Sequence, residues 1–277
     1  MTGGLLAVSD PHIGYPENRR IVADLRPDTA ADWLMVAGDV AERFEDVAWA
    51  LRPLAARYTK VVRAPGNHER WTPPDDPVRL RGEERYRTPV ELRRSIGVLT
   101  PEDPYAVWTG PGGPVTVAPL FLLYDDTFRP RGTATKAEAL AAAYAAGVVC
   151  TDEMLLHPDP YPDRETRCRA RIEESERRLG ERDPKLPTVL INHFPLRRDP
   201  THVPRHPEFA LWCGTERTAD WHLRHRAAAV VHGHLHIPRR TVADGVPFEE
   251  VSLGHPREWA PRGGPVGPRR ILPRGRA

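Results

Sequence analysis

The chain has 277 residues, enough for one large α/β domain with a substantial core, and carries 40 basic against 38 acidic residues for a formal net charge of +2. That near-balance argues against an affinity built mainly on neutralising many phosphates, and no run approaches the roughly 18 to 20 uninterrupted apolar residues of a membrane span. The start, MTGGLLAVSDPH, lacks the charged beginning and long apolar region of a signal peptide, so a cytoplasmic location is expected; Cys150, Cys168 and Cys213, odd in number and without CxxC spacing, fit reduced thiols with no assigned role.

In chain order, GLLAVSD, DWLMVAGD and KVVRAPGNHE each read as a short buried strand, running into Asp10-Pro-His12, Gly38-Asp39 and Gly66 to Glu69. Between them, NRRIVADL and RFEDVAWALRPLAARY have helical character, the second with Val47, Leu51, Leu54 and Tyr58 on one face. This is a βαβ alternation. RLRGEERYRTPVELRR lies in an insertion at about 71–96; its arginines can greet an anionic substrate, or with the interleaved glutamates form a solvated helical face. The apolar run VAPLFLL is followed by Tyr124, Asp125 and Asp126, which either line a pocket or serve in turns and caps.

A second insertion, at about 124–165, contains the predicted helix TKAEALAAAYAAG, closed by Gly147. DRETRCRARIEESERRLGE is another predicted helix, with Asp163 as its N-cap and Gly180 at its end. TVLINH ends at His193, RTADWHLRHR is a further helix candidate, AAVVHGHLH ends in His232 to His236, and RRTVADGVPFEEVSLG reads as a hairpin around Asp244-Gly245. Residues 1–254 are expected to form a single domain whose two insertions overhang the strand ends, and residues 255–277, rich in Pro, Gly and Arg, an extended or partly mobile tail.

All five polar clusters fall at the carboxyl ends of predicted strands, where open α/β sheets bind ligands. Two carboxylates, at least four imidazoles and a side-chain amide exceed what one four-coordinate zinc needs, and match two metals. Mixed oxygen and imidazole donors suit Mn, Fe, Zn, Co or Ni, with manganese favoured. Two such ions about 4 Å apart can hold a hydroxide between them and clamp both the attacking and the leaving oxygen of a phosphoryl centre. The chain has only three asparagines, at 18, 67 and 192. Asn67 can give a metal a neutral carbonyl oxygen, Gly66 lets the backbone bend to aim it, and His68 is left to face the substrate.

The order Asp10-x-His12, Gly38-Asp39, Gly66-Asn67-His68-Glu69, His193, Gly233-His234-x-His236 resembles the signature of the calcineurin-like metallophosphoesterase superfamily, over residues 10 to 236. The resemblance implies a four-layer α/β/β/α sandwich with a dinuclear site at one edge. Carried over by position, it implies that Asp10, His12 and His236 hold the first metal, that Asp39 bridges, and that Asn67, His193 and His234 hold the second. His68 would be the acid that assists the leaving group. Asn192 is then a strand-end hydrogen-bonder. GDVAERF is also similar to the Gly-Asp-x-x-Asp-Arg of the protein Ser/Thr phosphatase branch, with Glu42 in place of Asp, so Arg43 either reaches a substrate phosphate or is a solvated residue at a helix start. Trp71 either lines the substrate pocket or belongs to the core, and His232 either supports the ligands or is a satisfied strand residue.

The expected activity is therefore a dinuclear metal-dependent phosphoesterase. It is expected to act on a small phosphorylated metabolite as a phosphomonoesterase, by in-line attack of a metal-bridging hydroxide, with no covalent phosphoenzyme. Rivals are a phosphodiesterase acting on cyclic nucleotides or nucleic acid, a biosynthetic enzyme using the same site on a phosphorylated metabolite or a diphosphate, and a metal-bound binding or scaffold protein without turnover. A nucleic-acid partner is not favoured by the near-neutral charge, and no membrane partner is expected.

Overall fold

The structure, a computed structural model, describes residues 3–203 and 205–275. The side chains of Leu92 and Arg93, part of the arginine-rich run, and residues 276 and 277 of the tail lie outside the described residues. Strand β1 (Leu5–Val8), helix α1 (Pro16–Asp24), β2 (Trp33–Ala37), α2 (Phe44–Arg57) and β3 (Lys60–Ala64) realise the expected βαβ alternation. There follow α3 (Gly82–Ser95), β4 (Val98–Leu99), β5 (Ala106–Trp108), β6 (Val115–Pro119), α4 (Lys136–Ala145), the single turn α5 (Asp152–Leu155) and α6 (Arg164–Gly180). The chain ends with β7 (Thr188–Ile191), α7 (Trp221–Arg224), β8 (Ala227–His232), β9 (Arg239–Ala243), β10 (Val246–Glu250), α8 (Pro256–Trp259) and β11 (Arg269–Leu272).

Two mixed sheets result, ordered β11-β1-β2-β3-β4 and β5-β6-β7-β8-β10-β9. Alternation along the strands sorts their side chains into layers. Leu5 and Ala7 of β1 face the other sheet and join Met35, Ala37, Val62, Ala64, Val117, Val189, Ile191, Ala229 and Val231 in the layer between the sheets. Leu6 and Val8 face outward, onto Val22 of α1, Val47, Leu51 and Leu54 of α2, and Tyr58, which caps the end of α2. Behind the second sheet, Cys168, Ile172 and Leu179 of α6 pack on Leu190, Val230 and Phe248. This is the four-layer α/β/β/α sandwich, and burial on both faces explains why its parallel strands are continuous apolar runs.

Local signals set the boundaries. The Asp163 carboxylate accepts the Thr166 backbone N–H (2.6 Å), capping α6, and Thr135 and Glu138 form a reciprocal capping box at α4. Asp244 and Gly245, both with positive φ, turn β9 into β10. RTADWHLRHR yields only the four-residue α7 and a short 3-10 turn. The segment from His255, expected to be extended or mobile, is instead built into the fold: α8 packs beside the strand ends, and β11 pairs antiparallel with β1 as an edge strand. Its composition misled because two residues, Ile271 and Leu272, suffice to dock it in the layer between the sheets. Among the described residues no helix is long and apolar enough to cross a membrane.

Candidate dinuclear metal site

The two sheets are stitched at their carboxyl edge, where the backbone N–H of Ser9 donates to the Val251 carbonyl (3.0 Å) and that of Leu253 to Ser9 (2.8 Å). This seam brings the end of β1 beside the ends of β8 and β10, and every expected metal ligand lies along it. Eight non-glycine residues among those described have positive φ, and five of them are Asp10, His12, Asp39, His234 and His236. Positive φ is costly for such residues and concentrates where function over-determines the backbone. Glycines supply the remaining room. A Cβ at Gly66 would lie 2.0 Å from Asp39 Oδ1, and one at Gly233 would lie 2.2 Å from Asp10 Oδ2. Gly66 thus matters for close approach; its φ is not in the left-handed region, so the tight bend expected of it is not its role.

The donor atoms converge in two groups. In one, His236 Nε2 lies 3.1 Å from His12 Nε2 and 3.2 Å from Asp10 Oδ1. In the other, His193 Nε2 lies 3.0 Å from Asn67 Oδ1 and 3.2 Å from His234 Nδ1. Asp39 belongs to both sets: its Oδ2 is 3.2 Å from His193 Nε2, and it converges with Asp10 and His12. Ligands bound at about 2.1 Å and at right angles stand about 3.0 Å apart, so these spacings match the edges of two coordination polyhedra that would share Asp39. The residues present therefore fit a pair of divalent ions.

Each of these groups is aimed from behind. His193 Nδ1 faces the Ala37 carbonyl (2.9 Å) and His236 Nδ1 the Glu258 carboxylate (2.7 Å), which leaves each Nε2 for the site. Glu69 accepts the backbone N–H groups of Val40 (2.7 Å) and Gly66 (2.8 Å) and pairs with buried Arg63, tying the loop of Asp39 to that of Asn67. Asp152, fully buried, accepts from Asn67 Nδ2 (2.9 Å) and Trp71 Nε1 (2.5 Å) at one oxygen and from the Tyr124 hydroxyl (3.0 Å) at the other. Asp152, Glu258 and His255, whose ring lies 4.6 Å from that of His12, carry no motif that would single them out in the sequence.

His68 lies at the mouth, partly exposed, with Nε2 3.7 Å from Asp39 Oδ2 and Nδ1 2.7 Å from Glu42 Oε1. Glu42, noted only as a departure from a motif, is thus the partner that orients this ring. Trp71 stacks on His68 at 3.6 Å between centroids, which places it at the site. Arg43 pairs instead with Asp75 (2.9 Å) on the surface. In the arginine-rich run, Arg85 is buried against Asp76 and donates to the Glu42 carbonyl (2.9 Å), while Arg87 pairs with Glu83 and Arg94 with Asp103. Asn192 spans Leu122 N–H and the Phe194 carbonyl as a strand-end hydrogen-bonder. His232 contacts the Gly233 carbonyl (3.3 Å), Asp125 caps Thr127, and Asp126 pairs with Lys136.

The packing dictates the charges. Burial opposes ionisation of Asp10 and Asp39, yet the imidazoles of His236 and His193 outweigh it and hold both carboxyls well below the usual range. Burial would lower His193 too, but Asp39 beside it raises it to about 9, and Asp10 likewise raises His236. His12 and His234, buried among other imidazoles, are pushed down, His234 to about 3. Without ions the cluster keeps protons where its donors converge; ions displace them, so metal affinity falls as pH falls.

Behind Asp10 lies a second buried carboxyl group, Glu250. The Ser252 hydroxyl is 2.5 Å from both Asp10 Oδ2 and Glu250 Oε1, and its single proton serves one carboxylate at a time, so a protonated Glu250 would donate to Ser252 while Ser252 donates to Asp10. Burial, reinforced by the charge of Asp10, pushes Glu250 up to about 7. The folded state then keeps a proton that the unfolded chain has lost, so stability falls as pH rises from the ordinary 4.5 to about 7. Glu250→Gln keeps a donor toward Ser252 and is expected to remove that loss. In thermal melts of metal-free protein its advantage over wild type should grow across this window to about 3 kcal/mol and then level off, whereas a pH-independent difference would exclude the buried proton.

A model of the calcineurin-like phosphoesterase family matches residues 4–238. The chain is 50% identical, over 269 residues, to the acyl-carrier-protein phosphodiesterase PptH of Mycobacterium tuberculosis, covering 97% of this chain and 83% of that protein. It is similar to the crystal structure of the phosphopantetheinyl hydrolase PptH from the same organism with a TM-score of 0.96 at 49% identity, covering 99% of this chain and 97% of that one.

Proposed function

This chain belongs to the calcineurin-like phosphoesterase family and is a metal-dependent phosphoric ester hydrolase, and from that premise we propose that it cleaves the phosphodiester joining a phosphopantetheinyl group to an acyl carrier protein. The observation that carries this reading is the 50% identity, over nearly the whole chain, to a protein named for that substrate. The expectation of a phosphomonoester on a small metabolite gives way to it, and of the rival phosphodiesterase reading the reaction class is kept with a carrier protein in place of a cyclic nucleotide or nucleic acid. The site favours a substrate that approaches from outside: His68, Trp71, His236 and His255 are all partly exposed along its mouth, and Tyr15 beside His255 is 41% exposed.

Asp10, His12 and His236 would hold one ion, Asn67, His193 and His234 the other, with Asp39 shared. Two divalent ions, when bound, supply the Lewis acidity that activates water and neutralises the phosphoryl oxygens. The chain's own residues do the rest. Glu42 holds His68 Nδ1, so the proton on Nε2 faces the site beside Asp39. Against the cost of burial, Asp39 and Glu42 raise the His68 pKa, which favours the protonated form that an acid needs. Water adds to phosphorus and gives up one proton to solvent, the bond between phosphorus and the carrier oxygen breaks, and that oxygen leaves with the proton from His68, which solvent then restores.

The test is to strip the protein of metal, restore it with Mn²⁺, and offer phosphopantetheinyl acyl carrier protein, an aryl phosphomonoester and a cyclic nucleotide. Intact-mass analysis should show the carrier losing its phosphopantetheinyl group, with the monoester turned over more slowly. Cleavage of the monoester or the cyclic nucleotide with the carrier untouched would overturn the assignment.

A further inference from the structure

We propose that Asp152 is the positioning residue of the second metal position: one of its oxygens holds the amide nitrogen of Asn67 and the indole of Trp71 together, turning the Asn67 carbonyl toward His193. The proposal rests on the reading that Asn67 ligates an ion. A side-chain amide has two unlike ends, and only the oxygen can bind a cation. Asn67 Oδ1 stands 3.0 Å from His193 Nε2, while Nδ2 stands 2.9 Å from Asp152 Oδ1. A carboxylate facing the amide accepts hydrogen bonds, so the nitrogen must turn toward Asp152 and the oxygen toward the site. Replace it with an apolar side chain and nothing prevents the amide from presenting its NH₂ group to the cation.

The same oxygen fixes Trp71 at 2.5 Å, and Trp71 stacks on His68, so one buried group braces both a metal ligand and the acid. Asp152 is itself held firmly. Tyr124 donates to its second oxygen (3.0 Å), Arg164 donates to its backbone carbonyl (2.7 Å), and the far end of α5 is fastened where Thr72 N–H meets the Leu155 carbonyl (3.0 Å). The insertion at about 124–165 therefore does more than overhang the strand ends: 85 residues along the chain from Asn67, it delivers the group that aims this ligand.

The chain's three asparagines make a direct readout possible. With ¹⁵N-asparagine labelling of the full chain, NMR should resolve three side-chain amide pairs. In metal-free protein Asp152→Ala is expected to move the Asn67 pair and leave those of Asn18 and Asn192 in place. Titrated with Mn²⁺, the variant should bind its first equivalent as wild type does and its second about 10- to 100-fold more weakly, the range for groups that orient ligands. Asp152→Asn, which can still accept from Asn67 but lacks the charge, should fall between, and Trp71→Phe should keep both equivalents. The proposal is overturned by an unmoved Asn67 pair, or by wild-type affinity for the second ion in Asp152→Ala or, should that variant fail to fold, in Asp152→Asn. A moved pair in a protein whose wild type binds no second Mn²⁺ would uphold the hydrogen bond and overturn the metal reading of Asn67 with the role proposed for Asp152.

Discussion

Asp39→Asn is expected to strip the site of metal and to lower hydrolysis by about 10³-fold or more. The substitution keeps size and shape, so the loss tests charge. Asp39 is buried at the end of β2, with its backbone held at φ 54° and its Oδ1 accepting the His68 backbone N–H (3.0 Å). Its carboxylate belongs to both donor sets, so an amide there would deprive a pair of ions of a shared anion. A second consequence follows from the sign of the electrostatics. Asp39 is the leading influence that keeps His193 near 9 against burial, so in the metal-free variant that imidazole should titrate at markedly lower pH. Elemental analysis, a hydrolysis assay and imidazole NMR read the three effects separately. Stoichiometric metal with ordinary turnover would sink the shared-ligand assignment.

How much of this was legible in the sequence depends on distance along the chain. Strands buried on both faces announce themselves as apolar runs, and polar clusters at their ends stand beside those runs, so the convergence of Asp10, Asp39, Asn67, His193, His234 and His236, the proposed ligands, could be read directly. Helix α2 was legible because Val47, Leu51, Leu54 and Tyr58 recur at helical spacing and all become buried. The partners that aim the ligands were not. Asp152 and Glu258 look like ordinary helix-start and surface acids, and each acquires its role only when packing brings it to a residue 85 or 22 positions away. No local periodicity encodes such a contact. Arg43 shows the converse: its motif left it either a substrate phosphate or a solvated helix start, the loop geometry gives it to Asp75 on the surface, and Arg85 is the arginine that reaches the same segment, through the Glu42 backbone.

His68→Ala is expected to lower turnover by about 10²- to 10⁴-fold while both metals stay bound, because its Nδ1 is taken by Glu42 and its Nε2 stands 3.7 Å from Asp39 Oδ2, farther than the 3.2 Å of His193 Nε2 from the same oxygen. The size of the loss should depend on the leaving group. An alkoxide, such as the carrier hydroxyl, is a poor leaving group and needs the proton; an aryl oxide needs it little, so an activated aryl diester should lose far less than the natural type of ester. The pH profile gives an independent sign. His68 acts in its protonated form, so activity falls as pH rises through its pKa, which Asp39 and Glu42 raise against the effect of burial. Glu42→Gln keeps a hydrogen-bonding side chain but removes one of those charges, so the alkaline limb should move to lower pH while metal content is unchanged. If instead the two ester classes lost activity equally in His68→Ala and the limb stayed fixed in Glu42→Gln, His68 would be holding the substrate, and the proton for the leaving oxygen would have to come from solvent.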